Sequence, residues 1–401
     1  MSRRSSKKKL SEQVEITRTP SQERVLRKRG YSIGKRIGEG SYAQVFKASF
    51  SDPKKNNYHE IKLACKIIDC TQISEKFSKK FLPREVEILG QLTHTNIIRV
   101  HSILQKKDFY YIFMEYADQG DLLEFILDHG AVKERQSRKW FMQILQGLKY
   151  LHDKDIAHRD LKCENLLLTA MFTIKISDFG FARFVEYERG QPVNSTTYCG
   201  SITYAAPEIV KGIPYNPKLA DIWSIGVILY IMLNKSWPFD PSSVTGLYQA
   251  QMGRKWRVRT KVENILSETV KDFLRILLEP VPELRKTTNQ VLLEPWVKHA
   301  PRDDTITFSG LGNPSTKTQF DSAPFEKPST ISTSNTSSGV SVGSGTKVSP
   351  YLNKTRDMAK SEVAGREVAQ AVAPNAENVT LTGPSNKLAT SESTVSTATD
   401  L

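Results

Sequence analysis

Three side chains suited to phosphoryl transfer stand close together in the sequence His158-Arg-Asp-Leu-Lys-Cys-Glu-Asn165. Asp160 can accept the proton of an attacking hydroxyl, and Lys162 can neutralise the charge of a transferring phosphoryl group. Asn165 carries an amide oxygen that can ligate a metal ion. Because a short polar loop can also be an ordinary solvated turn, both interpretations stay open for this motif alone. Asp160, Lys162 and Asn165 are the candidate catalytic residues.

A further acidic group follows in Ser177-Asp-Phe-Gly180. Mg²⁺ prefers hard oxygen ligands, so Asp178 together with Asn165 predicts a magnesium site. Taken alone, this motif can equally be a bend at the end of a strand. The motif Tyr204-Ala-Ala-Pro-Glu208 then ends the segment that begins at Asp-Phe-Gly.

A glycine-rich turn, Ile37-Gly-Glu-Gly-Ser-Tyr-Ala-Gln-Val45, stands between two predicted strands. Without side chains at Gly38 and Gly40, the backbone can approach phosphate oxygens and offer its amide groups. Ala43 occupies the place where a third glycine would complete the pattern, and an ordinary hairpin is the alternative. The candidate nucleotide-binding residues of this turn are Ile37, Gly38, Glu39, Gly40, Ser41, Tyr42, Ala43, Gln44 and Val45.

Lys66 lies in the middle of an otherwise apolar predicted strand, Leu63-Ala-Cys-Lys66. A buried ammonium group is costly unless something pairs with it. Glu85 on the following predicted helix and a bound phosphate would be such partners. The alternative is a lysine at a strand edge whose stem reaches solvent.

The elements that carry these motifs change in type along the chain. Strands are predicted over residues 32–37, 44–50, 61–68 and 109–114, with one helix near 75–90. After Asp121 the pattern turns helical, most clearly at Phe141, Ile144, Leu145, Leu148 and Leu151. The sequence therefore predicts an α+β fold of two lobes, a small β-rich lobe and a larger helical lobe, with a ligand cleft between them.

Composition divides the chain of 401 residues into three parts. Residues 1–30 hold ten Lys and Arg against three Glu and predict a basic disordered arm. Residues 31–300 form the predicted catalytic domain, with the small lobe and hinge at 31–117 and the large lobe at 118–300. Residues 301–401 are rich in Ser and Thr and predict a disordered tail.

Charge and cysteine content exclude some classes and leave others open. The net charge of +14 suits an enzyme that handles polyphosphates, but also a partner of nucleic acid or of an anionic membrane. We expect the arm to be a solvated charge run, with nucleic-acid binding or nuclear import as the alternative. No apolar run approaches the roughly 18 residues that span a bilayer. The four cysteines show no paired C-x-x-C spacing, so we expect reduced thiols and a cytoplasmic protein, with the nucleus as a second location.

In order and spacing, these motifs resemble those of the eukaryotic protein kinase family, serine/threonine type, over residues 31–300. Within the calcium/calmodulin-dependent kinase branch, the chain is most similar to the testis-specific serine/threonine kinases. This similarity rests on Ala43 in the glycine turn and on the segment Tyr198-Cys-Gly-Ser-Ile-Thr-Tyr-Ala-Ala-Pro-Glu208. The resemblance implies ATP and Mg²⁺ as cofactors, serine or threonine hydroxyls of proteins as substrates, and a role in spermatogenesis.

The resemblance also assigns further residues. Met114 would guard the back of the adenine pocket, and residues 115–117, from Glu115 to Ala117, would hold adenine through their backbone. Asp121 would lie near the ribose. The residues that would sandwich the base are Val45, Ala64 and Leu167. The resemblance further implies that Asp221 braces the catalytic loop, that Glu208 pairs with Arg285, and that Ser201 contacts Asp160.

Regulation and partners follow from the same resemblance. Phosphate on Thr197 would find Arg159, which predicts activation by an upstream kinase, with an unmodified threonine in an ordered loop as the alternative. Asp121 and Glu164 predict substrates with upstream basic residues. We expect a monomer that binds neither membrane nor nucleic acid. The rival class is a catalytically silent pseudokinase scaffold, which ATP consumption would exclude.

Overall fold

An antiparallel sheet of five strands forms the first lobe. In the computed structural model, which describes residues 19–40, 43–54, 60–73, 75–298 and 329–330, the strand order is β1-β2-β3-β5-β4. The elements of this lobe are α1 (Pro20–Lys28), β1 (Tyr31–Glu39), β2 (Ala43–Phe50), β3 (Ile61–Asp69), α2 (Glu75–Leu89), β4 (Val100–Lys106) and β5 (Phe109–Glu115). The four strands and the helix predicted from the sequence are confirmed, with each end within two residues of its predicted position.

The structure differs from the sequence prediction at the start of the domain, where α1 lies within the predicted disordered arm. Thr19 and Gln22 form a capping box, in which each side chain accepts a hydrogen bond from the other residue's backbone. Leu26, only 3% exposed, packs in a cluster with Tyr31 and Phe113. This single apolar anchor adds a helix to the small lobe. The rest of the arm, residues 1–18, lies outside the described residues.

Strand β4 is a second element of this lobe that the sequence pattern did not indicate. Its residues alternate poorly, because His101 and Ser102 interrupt the apolar positions. Both polar side chains are used within the lobe: the Tyr31 hydroxyl lies 3.0 Å from His101 Nδ1 and 2.8 Å from Ser102 Oγ. Tertiary contacts therefore decide the strand where local pattern does not.

Helices build the second lobe, with short strands at its cleft side. Its elements are α3 (Leu122–His129), α4 (Glu134–Asp153), β6 (Ile156–Ala157), β7 (Leu166–Leu168), β8 (Ile174–Ile176), β9 (Arg183–Phe184), β10 (Tyr187–Glu188), β11 (Gln191–Pro192), α5 (Pro207–Lys211), α6 (Pro217–Asn234), α7 (Val244–Met252), α8 (Thr260–Glu263), α9 (Glu268–Leu277), α10 (Thr288–Val291) and α11 (Pro295–Lys298). Strands β6 and β9, β7 and β8, and β10 and β11 pair antiparallel. The expected two-lobed α+β architecture is confirmed.

Helix α6 runs through the centre of the large lobe. It is apolar on all sides, and nearly all its residues from Ala220 to Asn234 are buried. The predicted apolar face of α4, including Phe141 and Leu148, packs in the same core. Across the described ranges, no helix has both the length and the apolarity to cross a bilayer. Because α6 is packed on every side, its position is fixed, and it can therefore fix the position of the loop that it contacts.

Of the tail, residues 301–401, the structure describes residues 329–330. Strand β12 (Ser329–Thr330) pairs in parallel with Leu104 and Gln105 of β4. The remainder of the predicted disordered tail lies outside the described residues, as do Ser41 and Tyr42 of the glycine turn.

Candidate active site

Lys66 of β3 joins two carboxylates across the cleft. Its Nζ lies 2.7 Å from Glu85 Oε1 of α2 and 3.0 Å from Asp178 Oδ1. Burial alone would lower the pKa of Lys66, but the two carboxylates outweigh it and raise that pKa. Lys66 in turn lowers the pKa of Asp178 to about 2. Lys66 and Asp178 are therefore charged at neutral pH, and the lysine connects α2 to the large lobe.

The catalytic loop gathers its polar groups around Asp160. Asn165 Nδ2 donates to the Asp160 carbonyl at 2.8 Å and to Oδ2 at 3.2 Å. Lys162 Nζ lies 3.4 Å from Asp160 Oδ2 and donates to Ser201 Oγ at 3.0 Å. Ser201 donates to Asp160 Oδ1 through its backbone N at 2.9 Å and through Oγ at 3.1 Å. Burial raises the pKa of Asp160, although Lys162 opposes the shift.

Helix α6 holds the catalytic loop through the buried carboxylate of Asp221. Asp221 accepts hydrogen bonds from the backbone N of His158 at 2.9 Å and of Arg159 at 2.8 Å. Its Oδ2 also lies 3.1 Å from His152 Nε2 of α4. Arg159 adopts a left-handed backbone with φ of 65°, which a side-chain-bearing residue rarely takes without such support. The bracing role expected of Asp221 is present in the structure.

The oxygen groups in the cleft fit a magnesium ion. Asp178 is 49% exposed at its side chain, so its carboxylate faces the cleft. Asn165 Nδ2 donates to Asp160, which leaves the amide oxygen of Asn165 to ligate a metal ion. In the part of the chain that the structure describes, no cluster of three His, Cys, Asp or Glu could hold a metal ion. Two protein oxygens are what Mg²⁺ takes from a protein when phosphates and water supply the other ligands.

The predicted adenine-binding residues lie on strands of both lobes. Val45 of β2 pairs in register with Lys66 of β3, and Ala64 of β3 pairs with Met114 of β5. Leu167 of β7 forms a bridge with Asp121. Val45, Ala64 and Met114 thus lie on adjacent strands of the small-lobe sheet, and Leu167 lies in the large lobe. Ala117 follows β5 by two residues.

Two acidic residues of this region also have structural partners. Asp121 is the N-cap of α3 and accepts from Glu124 N at 2.9 Å, while burial raises its pKa to about 7. The Glu115 side chain pairs with Lys175 Nζ at 2.9 Å. The Glu115 backbone N also donates to the Arg99 carbonyl at 2.8 Å, so both its side chain and its amide group have partners within the protein.

The glycine turn has room that protein packing does not explain. The Gly40 amide donates to the Ala43 carbonyl at 2.8 Å and closes the hairpin, in which Glu39 pairs with Gln44. A Cβ added to Gly38 would lie 3.6 Å from Val45 Cβ, and one on Gly40 would lie 3.7 Å from the Ala43 carbonyl oxygen. Both are ordinary contacts, so side chains would fit here. Glycine at these positions would leave the backbone open to a ligand. Ile37, 40% exposed, lies two residues before the end of β1, the first strand of this hairpin.

The activation segment, defined here as residues 178–208, contacts Arg159 through Phe181 and Ser195. Arg159 Nε donates to the Phe181 carbonyl at 2.8 Å, and Nη1 donates to Ser195 Oγ at 3.3 Å. Thr197 lies beside it: its backbone N donates to Ser195 Oγ at 3.3 Å, and its carbonyl accepts from Tyr215 at 3.0 Å. Sequence reasoning missed Ser195, because a serine among polar loop residues carries no distinctive pattern.

Known proteins match this region of the chain. A family model for the protein kinase domain matches residues 31–297. Testis-specific serine/threonine-protein kinase 1 of Mus musculus is 45% identical over 280 residues, which cover 69% of this chain and 74% of that protein. Testis-specific serine/threonine-protein kinase 3 of Mus musculus is 42% identical over 270 residues, 67% of this chain and 96% of that protein. Serine/threonine-protein kinase SIK2 of Gallus gallus is 35% identical over 292 residues, 72% of this chain and 35% of that protein.

Proposed function

Because the chain belongs to the serine/threonine protein kinase family, we propose that it transfers the γ-phosphoryl group of MgATP to serine and threonine hydroxyls of other proteins. The observation that carries the proposal is the position of Lys66, whose ammonium group contacts Glu85 and Asp178 at the same time. That arrangement joins the small lobe, α2 and the metal-binding carboxylate in one geometry, which phosphoryl transfer in this family requires.

Each group has a part in this proposal. Protein kinases in general use ATP and Mg²⁺. Asp178 and Asn165 would hold the metal ion, and Lys66 would orient the phosphates. The ion, when bound, would neutralise charge on the phosphates. Asp160 is held by Asn165 and Ser201, so its carboxylate is oriented before a substrate hydroxyl arrives.

A kinase assay with a matched pair of variants tests this assignment. Asp160→Asn keeps the shape of the side chain but removes the proton acceptor, so we expect turnover with a protein substrate to fall about 100-fold or more. Asp128→Asn makes the same chemical change on the exposed face of α3 and should leave turnover unchanged. ATP binding, measured separately, should survive both changes.

Two outcomes would contradict the proposal. If Asp160→Asn were as active as Asp128→Asn, Asp160 would not be the catalytic base. If the unmutated protein bound ATP but transferred no phosphate to any protein, the pseudokinase scaffold would be the better reading. The filled catalytic positions and the intact Lys66–Glu85 pair argue against that scaffold.

We also propose that phosphate on Thr197, added by an upstream kinase, activates the enzyme. Arg159 lies next to Asp160 in sequence and already contacts the activation segment through Ser195, so a phosphate bound there would link the segment to the catalytic loop. The substrates are proposed to carry basic residues upstream of the acceptor, because Asp121 and Glu164 place acidic groups near the catalytic loop.

The biological setting of the chain is proposed from its relatives and its charge. The names of the testis-specific relatives suggest a part in spermatogenesis. We propose a monomer in the cytoplasm, with the nucleus as a second location if the basic arm is an import signal. Fractionation of expressing cells, with and without residues 1–18, would separate the two locations.

A further inference from the structure

Three arginines converge beside the catalytic loop and form an arginine pocket, defined here as Arg84 of α2, Arg159 and Arg183 of β9. Burial lowers the pKa of Arg84, and the charges of Arg159 and Arg183 lower it further. Arg183 has an ion-pair contact of 3.6 Å with Glu186, but that glutamate is largely exposed and its charge is screened. Glu186 and Glu87 oppose the effect of the two arginines on Arg84, but the three arginines outnumber these two glutamates, so the pocket carries a net positive charge.

The Ser195 hydroxyl lies inside the arginine pocket. Ser195 is fully buried, and its Oγ lies 3.3 Å from Arg159 Nη1, 3.5 Å from Arg183 Nη1 and 3.3 Å from the backbone N of Thr197. Its backbone is fixed as well, because Ser195 and Tyr215 exchange both hydrogen bonds, at 2.7 and 3.1 Å. Three N–H donors thus point at one neutral oxygen whose position the backbone determines.

The hydroxyl satisfies the pocket only in part. Arg159 Nη2 is buried and has no hydrogen-bond acceptor among the described residues. A hydroxyl has two lone pairs, whereas a phosphate offers three strongly accepting oxygens and a charge. Ser195 is therefore a weak neutral ligand in a pocket that suits an anion, and a phosphate would displace it from the guanidinium groups.

We propose that Ser195 is a positioning residue that holds Arg159 and Arg183 in place while Thr197 is unmodified. This inference rests on the activation by Thr197 phosphate proposed above and specifies what the same pocket does before that phosphate arrives. Arg159 also donates to the Phe181 carbonyl, next to the metal-binding motif, so holding its guanidinium group keeps the start and the end of the activation segment joined. When Thr197 carries phosphate, the anion takes over both arginines and Ser195 becomes dispensable.

The test compares four proteins, each in two states. The unmutated enzyme, Ser195→Ala, Ser195→Thr and the exposed neighbour Thr196→Ala are assayed after phosphatase treatment and again after quantitative phosphorylation of Thr197, verified by mass spectrometry. We expect Ser195→Ala to lower kcat of the phosphate-free enzyme about fivefold, the effect of losing one weak hydrogen bond to a charged group. In the phosphorylated enzyme the loss should be under about twofold, because the anion replaces the hydroxyl.

The two further variants separate the hydroxyl from general packing. Ser195→Thr keeps the hydroxyl and should retain the rate of the phosphate-free enzyme, and Thr196→Ala should match the unmutated protein in both states. An equal loss in both states for Ser195→Ala would overturn the inference, since it would show a structural role that is independent of phosphate. An unchanged rate in the phosphate-free state would overturn it too.

A second measurement keeps the inference separate from the proposed function. Hydrogen exchange of the Thr197 amide, which donates to Ser195 Oγ, should be faster in phosphate-free Ser195→Ala than in Thr196→Ala. Equal exchange rates would overturn the inference even if the protein were no kinase. If phosphorylation of Thr197 left the rate of the unmutated enzyme unchanged, the proposed switch would fail, while the phosphate-free comparison would still decide the role of Ser195.

Discussion

Removing the carboxylate of Glu208 should destabilise the large lobe more than any exposed substitution of the same kind. Glu208 accepts two hydrogen bonds from Arg285, at 2.7 and 3.0 Å, and the two side chains are 2% and 0% exposed. Arg285 also donates to the carbonyls of Glu279 at 2.8 Å and Leu219 at 3.0 Å, and it stacks over Trp223. The guanidinium group is thus fixed in place and cannot follow a lost partner into water.

The magnitude follows from that burial. Glu208→Gln keeps the side-chain size, but it replaces one acceptor oxygen with an NH₂ group that faces N–H donors and leaves the arginine charge uncompensated. Breaking a buried ion pair by removing one partner costs about 3 to 5 kcal/mol, and because Gln retains one acceptor we expect about 3 kcal/mol. For a domain of this size, that corresponds to a fall in melting temperature of about 6 to 12 °C.

Urea denaturation of the nucleotide-free protein, followed by tryptophan fluorescence, measures this directly. Glu263→Gln, an exposed glutamate of α8, is the control and should stay within about 0.5 kcal/mol of the unmutated protein. A loss for Glu208→Gln of less than about 1 kcal/mol would refute the reasoning, because it would mean that the Arg285 charge finds solvent or another acceptor.

Two further predictions concern the small lobe and the hinge region. Asp121 has a folded pKa of about 7 against an ordinary value of 3.8, so the folded protein binds more protons than the unfolded chain in this interval and stability falls as pH rises from 4 to 7. Asp121→Asn keeps an N-cap side chain but removes the titrating group. Between pH 5 and pH 8, the free energy of unfolding measured in urea should fall by about 1 kcal/mol less in this variant than in the unmutated protein, after a discount for partial exposure. An equal fall in both proteins would contradict the raised pKa. Leu26→Ala should cost about 2 to 4 kcal/mol by calorimetry, because it removes the buried anchor of α1, and a neutral result would show that α1 does not stabilise the lobe.

The chemistry of the site could be predicted because each part of it is written in a short contiguous string. Asp160, Lys162 and Asn165 lie within six residues, so one loop brings them together. The pairing of Lys66 with Glu85 could be predicted from the cost of a buried ammonium group. The contact of Lys66 with Asp178 could not, since the two residues lie 112 positions apart on separate elements. In the structure, Lys66 Nζ lies within 3.0 Å of a carboxylate oxygen of each residue.

Other parts escaped prediction because their determinants are tertiary. Helix α1 is short and basic, and it is held by a capping box and by Leu26 against residues that follow it in the chain. Strand β4 carries polar residues whose hydrogen bonds come from Tyr31, which lies on another strand. Ser195 contacts Arg159 and Arg183, which lie 36 and 12 residues before it in the chain. In each case the residue type is ordinary, and the contact partner supplies the information.

The catalytic geometry depends on strain that the core supports. Arg159 and Asp178, neighbours of the reacting groups, both have left-handed backbones, with φ of 65° and 60°. Such a conformation costs a residue with a side chain about 1 to 2 kcal/mol, so each needs a compensating contact. Asp221 supplies it for Arg159 and Lys66 for Asp178. Since Asp221 projects from α6, which is buried on all sides and cannot shift without disturbing the core, packing far from the cleft fixes the loop that carries Asp160.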